Sequence, residues 1–157
     1  MVTFVFSAAG KPQQWQTSVE WLDRLLGEQP DSPTAPEALY EKGWALQNLN
    51  NFDDALSTYE QVIATSNGEA AARAQFMIGE IQFEQGKHAD AIKSFYAVIH
   101  GYGYPTWQAD ATYEAARCFE VRRQVPQALK LYETLVEKYP DSDKVPAAKK
   151  RIAALKG

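Results

Sequence analysis

The sequence predicts an all-α fold, a solenoid of stacked antiparallel helix pairs. Three observations predict it. Three stretches of the chain align with one another, their matched columns share one pair of offsets, and apolar residues inside each stretch recur at helical spacing. The stretches are EALYEKGWALQNLNNFDDALSTYEQVI (Glu37 to Ile63), RAQFMIGEIQFEQGKHADAIKSFYAVI (Arg73 to Ile99) and DATYEAARCFEVRRQVPQALKLYETLV (Asp110 to Val136). The small residues Gly43, Gly79 and Ala116 correspond, as do Ala55, Ala91 and Ala128, and the large residues Tyr59, Phe95 and Tyr132. Each column steps by 36 and then 37 residues. No segment alternates with period two between turn signals, so no strand is expected.

Taken in order, the chain opens on MVTFVFSAAG, Met1 to Gly10. This start is apolar but short, with no basic n-region and no long h-region, and reads as the stump of a helix rather than a signal peptide. Ser18 to Leu39 then matches Ala128 to Lys149 at an offset of 110 residues, with Pro30-Asp31-Ser32 mirroring Pro140-Asp141-Ser142 and Pro36 mirroring Pro146. The chain therefore reads as one second helix, three full helix pairs and a closing first helix. In numbers this is a single domain, 1–157: a partial repeat at 1–35, repeats at 36–70, 71–108 and 109–143, and a capping helix at 144–157. In the first pair Ala38, Ala45, Leu46 and Leu49 share one face, Asn50-Asn51 breaks the pattern, and Phe52, Ala55, Leu56, Tyr59, Val62 and Ile63 form the partner stripe. Gly86-Lys87 and Gln124-Val125 punctuate the later pairs. Pro126 sits where proline opens a helix, and Pro30 and Pro140 stop helices.

The columns have a direct physical reading. Helices that pack closely need small residues where their backbones approach, and the large aromatic fills the space beside them. One pair cannot bury its own apolar face, so stacked neighbours make the core continuous.

The totals narrow the function. The 157 residues are 45% hydrophobic and 23% charged, with net charge −4 and a pI near 5.2. That acidic balance argues against nucleic-acid binding, which needs a basic surplus. No stretch approaches 18 apolar residues, so no transmembrane segment is expected. The single cysteine, Cys118, forms no internal disulfide.

The helix–turn–helix repeat, with Gly43, Leu46, Ala55 and Tyr59, then Gly79, Ala91 and Phe95, then Phe119, Ala128, Tyr132 and Pro140, resembles the tetratricopeptide repeat (TPR). The match covers about Ser18 to Leu155. It departs from the family pattern at the early Trp of the first helix, which is Leu39, Gln75 and Thr112 here, at Ala116 in place of Gly, and at the terminal Pro missing from the first two full repeats. The resemblance implies a right-handed superhelix. The unit length and the Lys-Tyr-Pro-Asp-Ser ending further resemble bacterial TPR proteins of the cell envelope, of the Tol-Pal-associated coordinator and outer-membrane assembly lipoprotein kind.

In TPR solenoids the first helices line a concave face. The resemblance thus implies a groove formed by Tyr40, Trp44 and Gln47 in the first repeat, Arg73, Phe76, Glu80 and Phe83 in the second, and Tyr113, Arg117 and Glu120 in the third. Spacings of three or four put each set on one helix face. Trp44, Phe76, Phe83 and Tyr113 stand offset from the core stripe, where the core does not require large rings. A groove of aromatics edged by Arg and Glu suits a partner peptide or helix with apolar anchors and mixed charges. The alternative is that the rings fill a narrow superhelix and pack on each other. The clamp by which some TPR domains hold a chaperone's terminal carboxylate is absent: its Lys is replaced by Tyr40, Phe76 and Tyr113, and its first Asn by Trp44. A second candidate is His100 to Asp110, HGYGYPTWQAD, read as a loop from Gly101, Gly103 and Pro105, whose Tyr102, Tyr104 and Trp107 either bind or cover a joint between repeats.

No catalytic chemistry is expected. His88 occupies the aromatic slot of Phe52, and His100 ends a helix, where a cation is favoured. Two histidines and one cysteine, widely spaced, make no zinc site. Cys118 lies inward beside Phe119 and reads as structural. No Walker loop, dinucleotide fingerprint or Gly-x-Ser-x-Gly elbow is present, and no cofactor is expected. Asp53-Asp54 suits a helix start, and Lys149-Lys150-Arg151 reads as the solvated face of the closing helix. The function expected is a non-catalytic scaffold binding a protein or peptide partner. The alternative is self-association, through an apolar N-terminal edge of Val2, Phe4, Val5 and Phe6, or a place in a longer array. A soluble protein of undetermined compartment is expected, either cytoplasmic or periplasmic if part of a longer bacterial envelope protein.

Overall fold

The computed structural model describes residues 12–157. The expected N-terminal stump, Met1 to Gly10, and its apolar edge at Val2, Phe4, Val5 and Phe6 lie outside the described residues. The described residues form two compact units, one ending at Thr65 and one running from Ser66 to Gly157. The first holds α1 (Pro12–Glu28), α2 (Ala35–Asn48) and α3 (Phe52–Thr65). The second holds α4 (Glu69–Glu84), α5 (His88–Gly101), α6 (Pro105–Val121), α7 (Val125–Lys138) and α8 (Val145–Lys156). Successive helices within each unit pack as antiparallel pairs, and no strand occurs among the described residues. The all-α repeat of paired helices is as expected.

The helix boundaries follow local chemistry. Pro36, Pro105, Pro126 and Pro146 lie in the first turns of α2, α6, α7 and α8, where the missing N–H costs nothing. Asp53 and Asp54 occupy the first turn of α3 and complement its dipole. Each turn inside a helix pair closes with one residue in the left-handed region: Asn50 (φ 59°), Gly86 (φ 74°) and Arg123 (φ 58°). The N–H groups of Asn51, Lys87 and Gln124 reach back to the carbonyls of Leu46, Gln82 and Phe119 at 2.8–2.9 Å, the six-to-one bond of a Schellman cap. In the third pair the turn therefore sits at Arg123, one residue before the expected Gln124-Val125, because Val125 already belongs to α7.

The repeated columns are the core. Ala55, Ala91, Ala128, Tyr59, Phe95, Tyr132 and Ala116 have no exposed surface. A Cβ added to Gly43 would come within 2.6 Å of the Tyr59 ring, and one added to Gly79 within 2.6 Å of the Phe95 ring. Each glycine is thus a notch that accepts the aromatic of the partner helix. In the third pair Ala116, Ala128, Tyr132, Leu135 and Ala148 form one cluster.

Two local expectations are corrected. His100 to Asp110 is not a loop: α5 runs through Gly101 and α6 begins at Pro105, leaving only Tyr102, Gly103 and Tyr104 between them. The Gln108 side-chain amide donates to the carbonyls of Ile99 (2.9 Å) and Tyr102 (2.8 Å), satisfying the end of α5 and letting the connection stay short. Lys149 and Lys150 are exposed as expected, whereas Arg151, though partly exposed, is paired with Glu120.

Candidate functional site

Three positions set twelve residues before the buried aromatics link core to surface. The Tyr59 hydroxyl donates to Gln47 Oε1 at 2.9 Å, and the Tyr132 hydroxyl donates to Glu120 Oε2 at 3.0 Å. In the middle repeat both partners are apolar, Phe95 and Phe83. Gln47 and Glu120 thus accept from hydroxyls on rings that have no exposed surface. Burial, followed by the Glu120 hydrogen bond, raises the Tyr132 phenol above its ordinary pKa. Arg151 completes the Glu120 site with two bonds to its carboxylate, one of them from Nε at 3.2 Å.

In the first unit Tyr40 is buried, 5% exposed, and packs on Tyr59 at a centroid distance of 5.8 Å. Trp44 is half-buried and meets Trp15 edge-on at 5.0 Å. Lys42 ties α2 to α1 through Asp23 at 2.6 Å.

In the second unit α4 and α6 form one aromatic and charged face. Phe76 lies between Phe95 (5.4 Å) and Trp107 (5.5 Å), and Arg73 stands over Trp107 at 5.9 Å. The Trp107 Nε1 donates to Glu69 at 3.1 Å, so this ring bridges α6 to α4. The Arg117 guanidinium lies over Phe83 at 4.9 Å and holds Glu114 at 2.6 Å. Tyr113 packs on Tyr132 at 5.6 Å, with Lys144 above it at 5.8 Å. Phe76 and Phe83 pack against the cluster of Ala91, Phe95, Val98, Ala111, Ala115 and Cys118, and Tyr113 against the cluster around Tyr132. The expectation that the core does not require these rings is corrected for Phe76, Phe83 and Tyr113, which are partly buried against the core clusters and keep part of their surface open.

Tyr113, Arg117 and Glu120 line an open depression of about 340 Å³ with Val121, Tyr132 and Arg151. Val121 is 52% exposed there. Burial, then the neighbouring Glu114 carboxylate, pushes the Glu80 carboxyl up to about 7 against the pull of Arg117. Burial also raises Glu114, opposed by Arg117, and Asp110, opposed by Lys144. Cys118 is fully buried and its thiol is pushed up to about 12, mainly by burial. His88 opens α5 with its ring edge-on to Phe83 at 4.9 Å, and His100 stacks on Tyr96 in the last turn. Among the described residues no group of three or more His, Cys, Asp and Glu side chains could hold a metal ion.

Two tetratricopeptide-repeat profiles match the chain, over residues 40–104 and 110–142. The chain is a tetratricopeptide-repeat protein. Among solved structures it is similar to the nearly identical TPR-like repeats assigned to a kinesin light chain of Podosopora anserina. That match has 19% identity and a TM-score of 0.69, and covers 91% of this chain and 78% of the other. It is also similar to the MamA RS-1 ArsTM double mutant, with 16% identity and a TM-score of 0.59 over 96% and 97% of the two chains. At these identities the likeness is one of fold. TPR folds generally act as protein–protein interaction scaffolds, and no helix among the described residues of this TPR chain is long and apolar enough to cross a membrane.

Sequence reasoning missed Glu114, Asp110, Lys144 and Arg151 in this TPR face. The three-residue spacing of Glu114 and Arg117 was an available signal for their pair. Arg151 stands 31 residues from Glu120 and carries no local signal.

Proposed function

We propose that the chain is a non-catalytic scaffold that holds a peptide or helix of a partner protein against the exposed sides of its first helices, with α2 offering such a side in the first unit and α4 and α6 offering theirs in the second. The observation that carries this reading is Arg117. Its guanidinium is stacked on Phe83 and tied to Glu114, so it is presented rigidly at the edge of an open depression that also offers Tyr113 and Val121. Rigid aromatics and arginine offer large contact area at little ordering cost, which is how a few residues come to dominate binding energy. The repeats at 36–70, 71–108 and 109–143 would be the units of this scaffold, and Trp44, Phe76, Phe83 and Tyr113 its anchors. The Lys138 to Ser142 ending and the unit length support a setting in the bacterial cell envelope.

The test is retention of a partner from the source cell's lysate by wild type beside a Trp44→Ala/Arg117→Ala variant, with helicity of both checked by circular dichroism. A protein held by wild type and lost by the folded variant is the expected result; equal retention overturns the reading.

One observation favours a second reading, stacking of copies or a place in a longer array. Ala153 stands 37 residues beyond Ala116, in the column that Gly43 and Gly79 occupy, yet it is exposed. It is a notch without an aromatic. A mass that rises with concentration, and falls back in Ala153→Lys, is the outcome this reading requires.

A further inference from the structure

Resting on the scaffold reading, we propose that the α4–α6 face takes its partner through a lysine or arginine side chain seated on Glu80, with apolar partner groups beside it. The charges that act on Glu80 are the carboxylates of Glu114 and Glu84 and the two cations Arg117 and Lys144. Arg117 is already engaged by Glu114 at 2.6 Å and by the Phe83 ring. Lys144 lies over Tyr113. Among the described residues, no hydrogen bond or ion pair reaches the Glu80 carboxylate, although it is half-buried. A carboxylate so placed has no ion-pair partner of its own, and it stands between Phe76 and Phe83 on the same face of α4. An apolar partner residue would leave that charge uncompensated and an acidic one would add to it, so the face selects a basic anchor.

The groups around Glu80 make the site sensitive to pH. Glu114 and Arg117 face it from α6, Glu84 shares its helix, and Lys144 acts from the segment before α8. Cys118 stands on α6 but is inert near neutrality, its thiol lying at about 12. From α5, Ala91, Phe95 and Val98 turn into the core and His88 lies against Phe83. With its carboxyl at about 7, Glu80 is mostly neutral at pH 6 and mostly charged at pH 8. A cation close to it favours the charged form, so docking releases a proton and tightens as pH rises.

The experiment selects peptides on the full chain at pH 8 from a displayed library of random twelve-residue sequences without His or Cys. Selected peptides are then synthesised with both ends blocked. Binding is measured at pH 6 and pH 8 to wild type, Glu80→Gln and Arg117→Ala. The expected result is a Lys or Arg at one fixed peptide position. Replacing it should weaken binding about tenfold on wild type and little on Glu80→Gln, the signature of a coupled charge pair. Wild type should bind about tenfold tighter at pH 8 than at pH 6, and Glu80→Gln should show no such change. The pH comparison on wild type stands even if a variant folds poorly. Peptides with no fixed basic position, or with equal affinity for Glu80→Gln and no pH dependence, but lost by Arg117→Ala, overturn this inference and leave the scaffold reading in place. No selected peptide, or peptides that bind every variant alike, overturn both.

Discussion

Tyr59, Phe95 and Tyr132 occupy one position in three repeats, and the residue twelve places earlier follows their chemistry. Where the ring carries a hydroxyl, the earlier residue is an acceptor, Gln47 or Glu120; where it does not, the earlier residue is Phe83. A buried hydroxyl left without a partner costs about 1–3 kcal/mol, while removing both partners together is nearly neutral. Gln47→Leu removes an acceptor from the Tyr59 hydroxyl and should destabilise the chain by about 0.5–1.5 kcal/mol, and Tyr59→Phe should add less in that background than it costs alone. Chemical denaturation of the two single variants and the double variant reads this coupling directly; additive losses would show that Gln47 does not serve Tyr59. The glycine notches give a second test at this scale. Gly79→Ala places a methyl 2.6 Å from a fully buried Phe95 ring, and the overpacking, about 1–3 kcal/mol, should outweigh the better helix propensity of alanine. A melting temperature equal to wild type would mean that the ring moves aside freely.

At the scale of the element, the turns within the helix pairs show one geometry met by three residues. Asn50 and Gly86 are residues that visit the left-handed region readily, and Arg123 is not. The geometry persists at Arg123 because the bonds from Arg123 to Glu120 and from Gln124 to Phe119, each 2.9 Å, close the end of α6 only in that conformation. Arg123→Gly should stabilise by about 0.5–1 kcal/mol, the relief of left-handed strain less the added chain entropy of glycine. Gly86→Ala should destabilise by about 1 kcal/mol, since its Cβ meets nothing and only the backbone conformation is penalised. Paired urea titrations measure both, and the two changes must carry opposite signs.

At the scale of the whole molecule, the partly buried carboxylates of the second unit make stability depend on pH. Glu80, Asp110 and Glu114 all sit above their ordinary values, principally through burial. Native chains hold protons that unfolded chains release, so the contribution of Glu80 is fully present below its unfolded value of 4.5 and is lost as pH climbs through about 7. Thermal melts from pH 5 to pH 8 should show wild type losing about 1–3 kcal/mol relative to Glu80→Gln over that interval. Parallel curves for the two proteins would remove Glu80 from the account. The same titration lets a basic partner and protons compete at the proposed docking face, which ties stability and binding to one side chain.

The helix pairs, the small and large columns and the proline starts were legible in the sequence because they are local or periodic: Ala91 and Phe95 repeat their spacing in every unit, and Pro105 opens a helix by its own ring geometry. Part of the candidate site was legible for the same reason, since residues three or four apart share a helix face, as Phe76, Glu80 and Phe83 do. Which of those side chains became core was not legible. Tyr40 is buried on Tyr59, Trp107 spans from α6 to Phe76 and Glu69 on α4, and Arg151 reaches Glu120 from α8. These contacts join residues distant in the chain, and their partners are chosen by how helices pack rather than by spacing. By itself the sequence determined the repeat, its helices and the columns that fill the core, because periodicity is written residue by residue. Only the tertiary structure decided which carboxylates are paired, which rings keep an open side and why Glu80 makes no ion pair among the described residues, because burial and charge compensation exist only once the helices have met.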